Sequence, residues 1–354
     1  MNILYLFLAI VCAFFISVTL TPIVRVLAFK LHVTDVPKDS RRMHKKEMPL
    51  MGGLAIFAAF VIGVLVFCDI DRKIIGFLLG ALLITLTGII DDKYEMRAIL
   101  KLLMQIAAAL IAVFSGLQIE MINFFGRYIP FGPWSGVITV VWIVALTNAI
   151  NLIDGLDGLS CGVSTISCFT LLISLAFHPE TPFAVLLMIG ILAGSCMGFL
   201  PFNFNPAKIF MGDTGALFLG YCLSVLSILG CFKLDAIVSF AVPFLIFALP
   251  LMDTAFAFMR RIFTGRSPFS ADRGHVHHRL IDKGFDQRHS VLLLYAVSGI
   301  SGIAAILISL DKFIGGIAMF AVAIVILILN LAFGGKEIYD SAPKSDDSSQ
   351  KNDK

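Results

Sequence analysis

About eleven long apolar runs follow one another along this chain, and they constrain its fold more than any other feature. They cover residues 2–24, 51–68, 74–90, 98–114, 135–150, 160–177, 183–200, 214–231, 236–256, 291–310 and 313–333. Several of them reach the roughly 17–25 residues that a helix needs to cross a bilayer. In lipid, a helix satisfies all of its own backbone hydrogen bonds. The sequence therefore predicts an all-α fold, a polytopic membrane helix bundle with about eleven transmembrane helices.

The composition excludes an ordinary soluble globular protein. Apolar residues make up 58% of the chain and charged residues only 14%, whereas soluble domains carry about 45–50% and about 25%. We expect residues 1–333 to form a single membrane-embedded domain. The first run lacks a basic start and a signal-like cleavage site, which favours a retained span. Residues 334–354 are mostly Lys, Asp and Ser, and we expect a disordered cytoplasmic tail.

The distribution of Lys and Arg predicts the orientation of the bundle. Of the 27 basic residues, 22 fall on one side, in alternate connections and the tail, and 5 fall on the other side. Because cytoplasmic loops carry the excess of Lys and Arg, the first side is predicted to be cytoplasmic. The N-terminus is then outside and the C-terminus inside, in a multi-pass protein of the plasma membrane. The net charge of +3 gives no indication of a nucleic-acid partner.

The polar segments between the runs are predicted to lie on the cytoplasmic side. They read DVPKDSRRMHKKEMPLMGG, DDKYEMR, TNAINLIDGLDG, FNFNPAKIFMGDTG and RRIFTGRSPFSADRGHVHHRL. The opposite loops, such as DIDRK and HPETP, are short and carry few polar groups of this kind. Five polar segments at one face of a membrane protein predict one site that is assembled from several loops.

Aspartates lie at the predicted inner ends of several spans, at Asp91, Asp92, Asp154, Asp157 and Asp213. Asp154 and Asp157 are three residues apart, so on a helix they would share a face. Converging carboxylates repel unless a cation neutralises them, and Mg²⁺ binds one or two carboxylates together with substrate phosphates. We therefore expect a Mg²⁺ site, with Mn²⁺ as an alternative metal. For Asp91 and Asp92 alone, two interfacial acids beside a lysine are the simpler alternative.

Glycine and asparagine accompany two of these aspartate groups. LIDGLDGLS and FMGDTGALFLG place Asp and Gly at the start of an apolar run. There, backbone N–H groups attract phosphate and glycine lets a ligand approach closely. Helix capping alone would explain either motif. It does not explain why Asn148 and Asn151 precede the first motif, or why Asn203 and Asn205 precede the second.

The segment HVHHRL contains His275, His277, His278 and Arg279 in a basic loop. Arginine and histidine suit recognition of a diphosphate, because Arg supplies a planar donor fork and His adds a hydrogen bond or a proton. Zinc is a weaker interpretation, since no cysteine accompanies the histidines. A basic loop that binds anionic lipid would explain the arginine but not three histidines within four residues.

Four motifs, GIIDDKYEM, TNAINLIDGLDGLS, FNFNPAKIFMGDTG and HVHHRL, resemble in this order the polyprenyl-phosphate N-acetylhexosamine-1-phosphate transferases, of the glycosyltransferase family 4 type. The likeness covers about residues 21–333. It implies an enzyme that transfers a sugar-1-phosphate from a UDP-sugar to undecaprenyl phosphate and releases UMP. One branch, which uses UDP-N-acetylmuramoyl-pentapeptide, has three consecutive histidines in its last cytoplasmic loop. HVHH instead looks like the branch that uses UDP-N-acetylglucosamine and starts wall teichoic acid or related glycans.

The resemblance also implies residue roles and is compatible with a homodimer. Asp213 would be a direct Mg²⁺ ligand, Asp92 would share the metal, and Asp91 would orient or deprotonate the acceptor. The implied catalytic residues are Asp91, Asp92, Asp154, Asp157, His277 and His278. The implied substrate-binding residues are Asn148, Asn151, Asn203, Phe210, His275 and Arg279, with Phe210 stacked on uracil. The implied metal ligands are Asp213 and Asp92.

Two alternatives remain open on the sequence alone. One is an activity of the N-acetylmuramoyl-pentapeptide type within the same family. The other is a secondary transporter, which also has many spans and intramembrane carboxylates. Transporter sites lie near the midplane, often between internal repeats, whereas here no repeat is visible and the acids are predicted to cluster at one face.

Overall fold

The computed structural model describes residues 2–36, 47–124, 127–233, 240–265 and 274–333, and these residues form an α-helical bundle. Its helices are α1 (Ile3–Lys30), α2 (Gly53–Phe67), α3 (Arg72–Tyr94), α4 (Ala98–Phe114), α5 (Ser135–Leu152), α6 (Leu159–Ala176), α7 (Phe183–Asn203), α8 (Gly212–Gly230), α9 (Ala241–Ile246), α10 (Ala248–Phe263), α11 (Val276–Asp282), α12 (Gln287–Ser309) and α13 (Phe313–Phe333). The prediction of an all-α fold is confirmed. The predicted tail, 334–354, lies outside the described residues.

Most of the predicted spans correspond to one helix each. Among the described residues, eight helices are long and apolar enough to cross a membrane, and α2 and α4 are shorter apolar helices. A polytopic bundle is therefore confirmed in its general form, while the count of about eleven spans stays a prediction. The first helix is longer than predicted, because α1 continues from the apolar run to Lys30.

The predicted span 236–256 is wrong as a single continuous helix. The chain there forms α9 and α10, which are separated by Phe247 with φ −103° and ψ 21°. Proline explains the break, because Pro250 has no N–H to donate to the carbonyl of Ile246. The ring of Trp142 packs against this corner, with its centroid 6.3 Å from that of Phe247. As a result, α9 and α10 are two separate helices.

Helix α8 runs through the centre of the bundle, and small residues let its neighbours approach closely. A Cβ on Gly53 of α2 would lie 2.0 Å from the Cα of Gly215, and one on Gly88 of α3 would lie 2.4 Å from the Cα of Thr214. Helices in membranes pack closely where glycine removes the side chain between them. These contacts bring the C-terminal end of α3 against the N-terminal end of α8.

Two short antiparallel hairpins complete the described fold. In the first, β1 (Thr34–Asp35) pairs with β2 (Met48–Pro49); in the second, β3 (Met121–Phe124) pairs with β4 (Arg127–Pro130). The basic residues 37–46 of the predicted first inner loop lie outside the described residues. The end of β2 is joined to the segment before α8, because the N–H of Phe210 donates to the carbonyl of Pro49 at 2.9 Å.

Candidate active site

Asp92, near the end of α3, caps the N-terminus of α8. Its Oδ1 accepts from the N–H of Asp213 at 2.8 Å, and its Oδ2 accepts from the hydroxyl of Thr214 at 2.6 Å and from that residue's N–H at 3.2 Å. The first N–H groups of a helix have no partner within the helix, and a carboxylate satisfies them and complements the helix dipole. Asp92 lies 121 residues before Asp213 in the sequence, so the capping residue and the capped helix are distant along the chain.

Asp91, the other member of the aspartate pair, is held by a lysine. It is 7% exposed, and its Oδ2 forms an ion pair with Nζ of Lys101 on α4. The same ammonium lies 2.6 Å from Oδ2 of Asp213. The second oxygen of Asp91 accepts from the N–H of Met96 at 2.6 Å. The two adjacent aspartates therefore have different partners, one a helix terminus and the other a half-buried ammonium.

We call Asp91, Asp92, Asp213 and Lys101 the aspartate cluster. Asn151, at the end of α5, joins it by donating from Nδ2 to Oδ1 of Asp213 at 2.9 Å. Helices α3, α4, α5 and α8 thus each contribute a side chain to one polar centre. Charged groups at such depth are costly unless they are paired, and their presence in membrane helices by default indicates function.

Asn148, one turn before Asn151, does not contact the aspartates. Its amide forms a reciprocal pair with Gln105 on α4, with Nδ2 of Asn148 donating to Oε1 at 2.5 Å and Nε2 of Gln105 donating to Oδ1 at 3.3 Å. Gln105 is 2% exposed. This pair fixes the spacing of α4 and α5 directly behind the cluster.

Asp154 and Asp157 lie in the turn between α5 and α6, so the prediction that they share a helix face is wrong. Gly155 and Gly158 are the reason, since Gly158 adopts φ +81° and the chain cannot continue as a helix. Oδ2 of Asp157 accepts from the N–H of Ala207 and from Nδ2 of Asn205, both at 3.0 Å. Asp157 thus joins this turn to the segment that leads into α8.

Asp154 lies close to the other acids of the site. Burial, followed by the negative charges of Asp213, Asp92 and Asp157, raises the pKa of Asp154 well above the usual value for an aspartate. An ionised carboxylate at this position is therefore unfavourable unless a cation is present.

Asn203 and Phe210 frame the segment between α7 and α8. Nδ2 of Asn203 donates to the carbonyl of Ile209 at 3.1 Å, while its Oδ1 is buried without a hydrogen-bond partner. Phe210 is half-buried, and its backbone carbonyl accepts from the N–H of Gly52 at 3.0 Å. A buried amide oxygen without a partner marks a position that a ligand donor could satisfy.

Helix α11, which we call the histidine helix, approaches from the other side of the α5–α6 turn. His277 is 2% exposed, and a Cβ on Gly155 would lie 2.2 Å from its Nε2. The ring of His277 lies between those of His275 and His278, with centroid distances of 5.8 and 4.3 Å. Burial, followed by the charge of His278, lowers the pKa of His277 to about 3. This imidazole is therefore neutral at physiological pH.

Known proteins are similar to this chain over most of its length. The family model described as Glycosyl transferase family 4 matches residues 74–231. The "Probable undecaprenyl-phosphate N-acetylglucosaminyl 1-phosphate transferase" of Bacillus subtilis (strain 168) is 40% identical over 91% of this chain and 90% of its own length. The chain belongs to glycosyl transferase family 4. The prediction of this family from the four motifs is confirmed.

Two further relatives in the family have polyprenyl-phosphate names. The "Undecaprenyl-phosphate alpha-N-acetylglucosaminyl 1-phosphate transferase" of Thermotoga maritima is 35% identical over 74% of this chain and 78% of that protein. The "Decaprenyl-phosphate N-acetylglucosaminephosphotransferase" of Mycobacterium leprae is 33% identical over 80% of this chain and 79% of that protein. The likeness thus extends well beyond the residues that the family model matches.

The family's predicted site residues fall into two groups in the structure. The aspartate cluster and Asn151 are in direct contact, and Asp154 lies beside them. The histidine helix reaches this region through the contact of His277 with Gly155. Arg279 is exposed and borders an apolar cavity of about 680 Å³ between α10, α12 and α13. The predicted convergence is therefore direct for Asp91, Asp92 and Asp213 and indirect for His275, whereas Arg279 borders the cavity.

Several side chains of the site were not among the predicted residues. In the sequence, Lys101 is only one of the 22 basic residues that predict the orientation, yet in the structure it pairs with two of the aspartates. Asn205 donates to Gln287 at 2.8 Å and accepts from Nε of Arg288 at 3.0 Å through its carbonyl, so it ties α12 to the segment before α8. A lone lysine three residues into an apolar run was the signal that could have identified Lys101.

The oxygen-rich centre fits a hard divalent cation. Within the described residues, no three His, Cys, Asp or Glu side chains are arranged to hold a metal ion by themselves. Mg²⁺ does not need such a set, because it usually binds one or two carboxylates together with phosphates and water. One ammonium already lies between Asp91 and Asp213, which indicates that a positive charge is accommodated at this position.

Proposed function

We propose that this protein transfers N-acetylglucosamine-1-phosphate from UDP-N-acetylglucosamine to undecaprenyl phosphate and releases UMP. The meeting of Asp91, Asp92 and Asp213 around Lys101 at one end of four helices carries this proposal. Phosphoryl transfer depends on positioning and charge neutralisation, and such a centre supplies both. The names of the relatives, which specify this sugar and a polyprenyl-phosphate acceptor, support the same substrates.

In this reaction an oxygen of the lipid phosphate attacks the phosphorus that is bonded to the sugar, and the bond from that phosphorus to the oxygen of UMP breaks. One diphosphate linkage is lost and one is formed. A phosphate monoester has its second pKa near ~6 and is mostly dianionic at neutral pH, so the acceptor needs no strong base. Both oxygens of Asp91 have partners, namely Met96 and Lys101. This favours a positioning role for Asp91 over that of a general base.

We propose that Mg²⁺, or Mn²⁺ in its place, binds at Asp213. When bound, the metal would neutralise negative charge on the diphosphate oxygens. Asp92 is the second proposed ligand, although its two oxygens already accept hydrogen bonds from the start of α8. Asp91 shares Lys101 with Asp213, so its carboxylate also lies close to the proposed metal position. Movement of Lys101 away from Asp213 would free an oxygen for the metal.

The remaining predicted residues have proposed substrate roles. Asn151, Asn203, Asp154 and Asp157 line the nucleotide side of the centre, and Phe210 stacks on uracil. The unpartnered Oδ1 of Asn203 supports a ligand on that side. Asn148 acts through Gln105 and the α4–α5 spacing. The proposed contacts of the histidine helix with the sugar or diphosphate involve His275, His277, His278 and Arg279.

The finer topology also forms part of the proposal. About eleven spans, an outside N-terminus and a cytoplasmic C-terminus would place the aspartate cluster at the cytoplasmic face of the plasma membrane, where a water-soluble UDP-sugar arrives. The acceptor lipid would enter laterally from the bilayer. The excess of basic residues on one side supports this orientation. The product would then start wall teichoic acid or a related cell-wall glycan.

The test is UMP release by the purified full-length protein in detergent with undecaprenyl phosphate and Mg²⁺. We expect release with UDP-N-acetylglucosamine, loss of release with EDTA, and recovery with excess Mg²⁺. UDP-N-acetylmuramoyl-pentapeptide serves as the competing donor, and preference for it would overturn the proposed substrate. Release of no UMP together with ion-coupled uptake of a solute in proteoliposomes would favour a transporter.

A further inference from the structure

Asp253 is a buried carboxylate that the proposed reaction does not use. It lies on α10, is 4% exposed, and borders the apolar cavity between α10, α12 and α13. A carboxylate in such surroundings is unfavourable unless its oxygens are paired. Its partners therefore indicate what it does.

Both oxygens of Asp253 are directed to the start of the histidine helix. Oδ2 lies 2.9 Å from Nδ1 of His275, and Oδ1 accepts from the N–H of Val276 at 2.8 Å. The second contact satisfies one of the N–H groups that a helix leaves unpaired at its beginning. The first contact orients an imidazole. A helix cap alone needs only one oxygen, so the contact with His275 requires a separate explanation.

The contact with His275 also selects its tautomer. An ionised carboxylate can only accept hydrogen bonds, so Nδ1 of His275 carries the proton that is shared with Asp253. Nε2 is then the nitrogen that is left to contact a ligand, as in histidines that are oriented by a carboxylate partner. The ring of His275 is stacked on that of His277 with an interplanar angle of 9°. Its orientation is therefore transmitted to the residue that packs against Gly155.

Helix α10 holds the segment before the histidine helix at a second point. Arg260, two turns after Asp253, donates from its guanidinium to the carbonyl of Gly274 at 3.1 Å. Residues 274–276 are thus tied to one helix by an arginine and an aspartate. Because both contacts come from α10, this helix helps to set where the histidine helix stands relative to the α5–α6 turn.

We propose that Asp253 is a positioning residue that fixes the tautomer and orientation of His275 for contact with the sugar-diphosphate donor. This inference rests on the proposed function, because it assigns His275 to the same substrate. Asp253 itself does not touch the substrate. Its carboxylate acts through His275, and through the start of the histidine helix.

The first test is a double-mutant cycle of Asp253→Asn and His275→Ala. Asp282→Asn, at the exposed C-terminal end of the histidine helix, is the matched control. Asparagine keeps the shape of the aspartate side chain, and its Oδ1 can still accept from the N–H of Val276. Its NH₂ group, however, would donate to Nδ1 of His275, so the proton of the imidazole would move to Nε2. We expect Asp253→Asn to lower kcat by about 10- to 100-fold, with unchanged affinity for UMP. In the His275→Ala background, Asp253→Asn should lower kcat by less than about twofold further, because the imidazole through which Asp253 acts is absent.

The proposal would be overturned if Asp253→Asn lowered kcat equally in the wild-type and His275→Ala backgrounds. It would also be overturned if UMP affinity and thermal stability fell together with kcat. Either result would mean that Asp253 is only a structural cap.

A second test does not depend on activity. In protein labelled with ¹⁵N-histidine, the resonances that disappear in His275→Gln should show a protonated Nδ1 in the wild type and a changed tautomer in Asp253→Asn. An unchanged tautomer would refute the proposal, whereas absence of UMP release by the wild type would refute the proposed function.

Discussion

The aspartate cluster and the histidine helix are held in place in different ways. The cluster is built from the ends of helices that pack in the centre of the bundle, and Gly88 lies so close to α8 that a side chain there would overlap Thr214. The histidine helix has seven residues. It is attached through Asp253 on α10, through the buried side chain of Leu280, and through the contact of His277 with Gly155.

The difference indicates that close packing between long helices preforms the first region, whereas the second depends on the buried side chains of one short helix and on polar contacts at its start. Substitutions in the aspartate cluster should therefore act on the chemistry with little change in shape. Substitutions around the histidine helix should act by displacing it. Measurements that separate turnover, nucleotide binding and stability can test this contrast.

The largest effect is expected for Asp213→Asn. This change keeps the size of the side chain but removes the charge that pairs with Lys101 and the proposed metal ligand. Loss of several kcal/mol of charge stabilisation corresponds to a fall in kcat of about 10³-fold or more. UMP release measures this loss, and Asp69→Asn, at an exposed position between α2 and α3, is the matched control. Activity within tenfold of the wild type would argue against Asp213 as a ligand.

Lys101→Met tests whether the ammonium competes with the metal. Without it, Asp91 and Asp213 lose their shared cation, so they should bind Mg²⁺ more tightly. We expect kcat to fall by about 10²-fold, in the range for removal of one charge-stabilising group, and the Mg²⁺ concentration for half-maximal activity to decrease. Lys73→Met, at an exposed position on α3, is the control. A higher Mg²⁺ requirement would mean that Lys101 helps to assemble the metal site.

Gly155→Ala should break the connection between the two regions. The new methyl group would lie 2.2 Å from Nε2 of His277, so the buried ring has to move. A displacement of about 1 Å can cost on the order of 10²-fold in rate, and we expect a loss of about 10- to 100-fold in kcat with the Mg²⁺ requirement unchanged. Gly299→Ala adds the same methyl group at a helical position with no heavy atom within 4 Å, and it should retain full activity. Equal activity of the two variants would show that the histidine helix does not depend on this contact.

The sequence predicted the aspartates of the site better than the residues that hold the site in place, such as Lys101 and Asp253. Aspartates at the ends of apolar runs are visible because charge is rare there. The partner of Asp91 is Lys101, which is ten residues away across a helix boundary, and only the packing of α3, α4 and α8 brings it to Asp213. Asp253 lay within a predicted span, and nothing in the local pattern linked it to His275. The break at Phe247, which places α10, depends on prolines whose effect in a membrane helix varies with their neighbours.

The smallest expected effect is on stability at acidic pH, and it concerns His277. Its pKa in the folded protein is about 3, compared with 6.5 for an ordinary histidine, because burial and then the neighbouring His278 oppose the charged form. Between these values the unfolded chain binds more protons than the folded one, so the free energy of unfolding decreases as the pH falls below about 6.5. One proton corresponds to at most about 1.4 kcal/mol per pH unit. Asp154 acts in the opposite direction, because its raised pKa lets the folded state hold the extra proton.

Comparison of His277→Gln with the wild type therefore isolates the histidine from the other titrating groups. The variant should lose less thermal stability than the wild type between pH 6.5 and pH 4.5 in the same detergent, because glutamine has no proton to bind. His32→Asn, at an exposed histidine with φ +54°, keeps a residue that tolerates this backbone conformation and should follow the wild-type curve. If His277→Gln also followed the wild-type curve, the imidazole would have to be accessible to protons in the folded state. The histidine helix would then be more loosely packed than the contact with Gly155 indicates, and the contrast with the aspartate cluster would be sharper still.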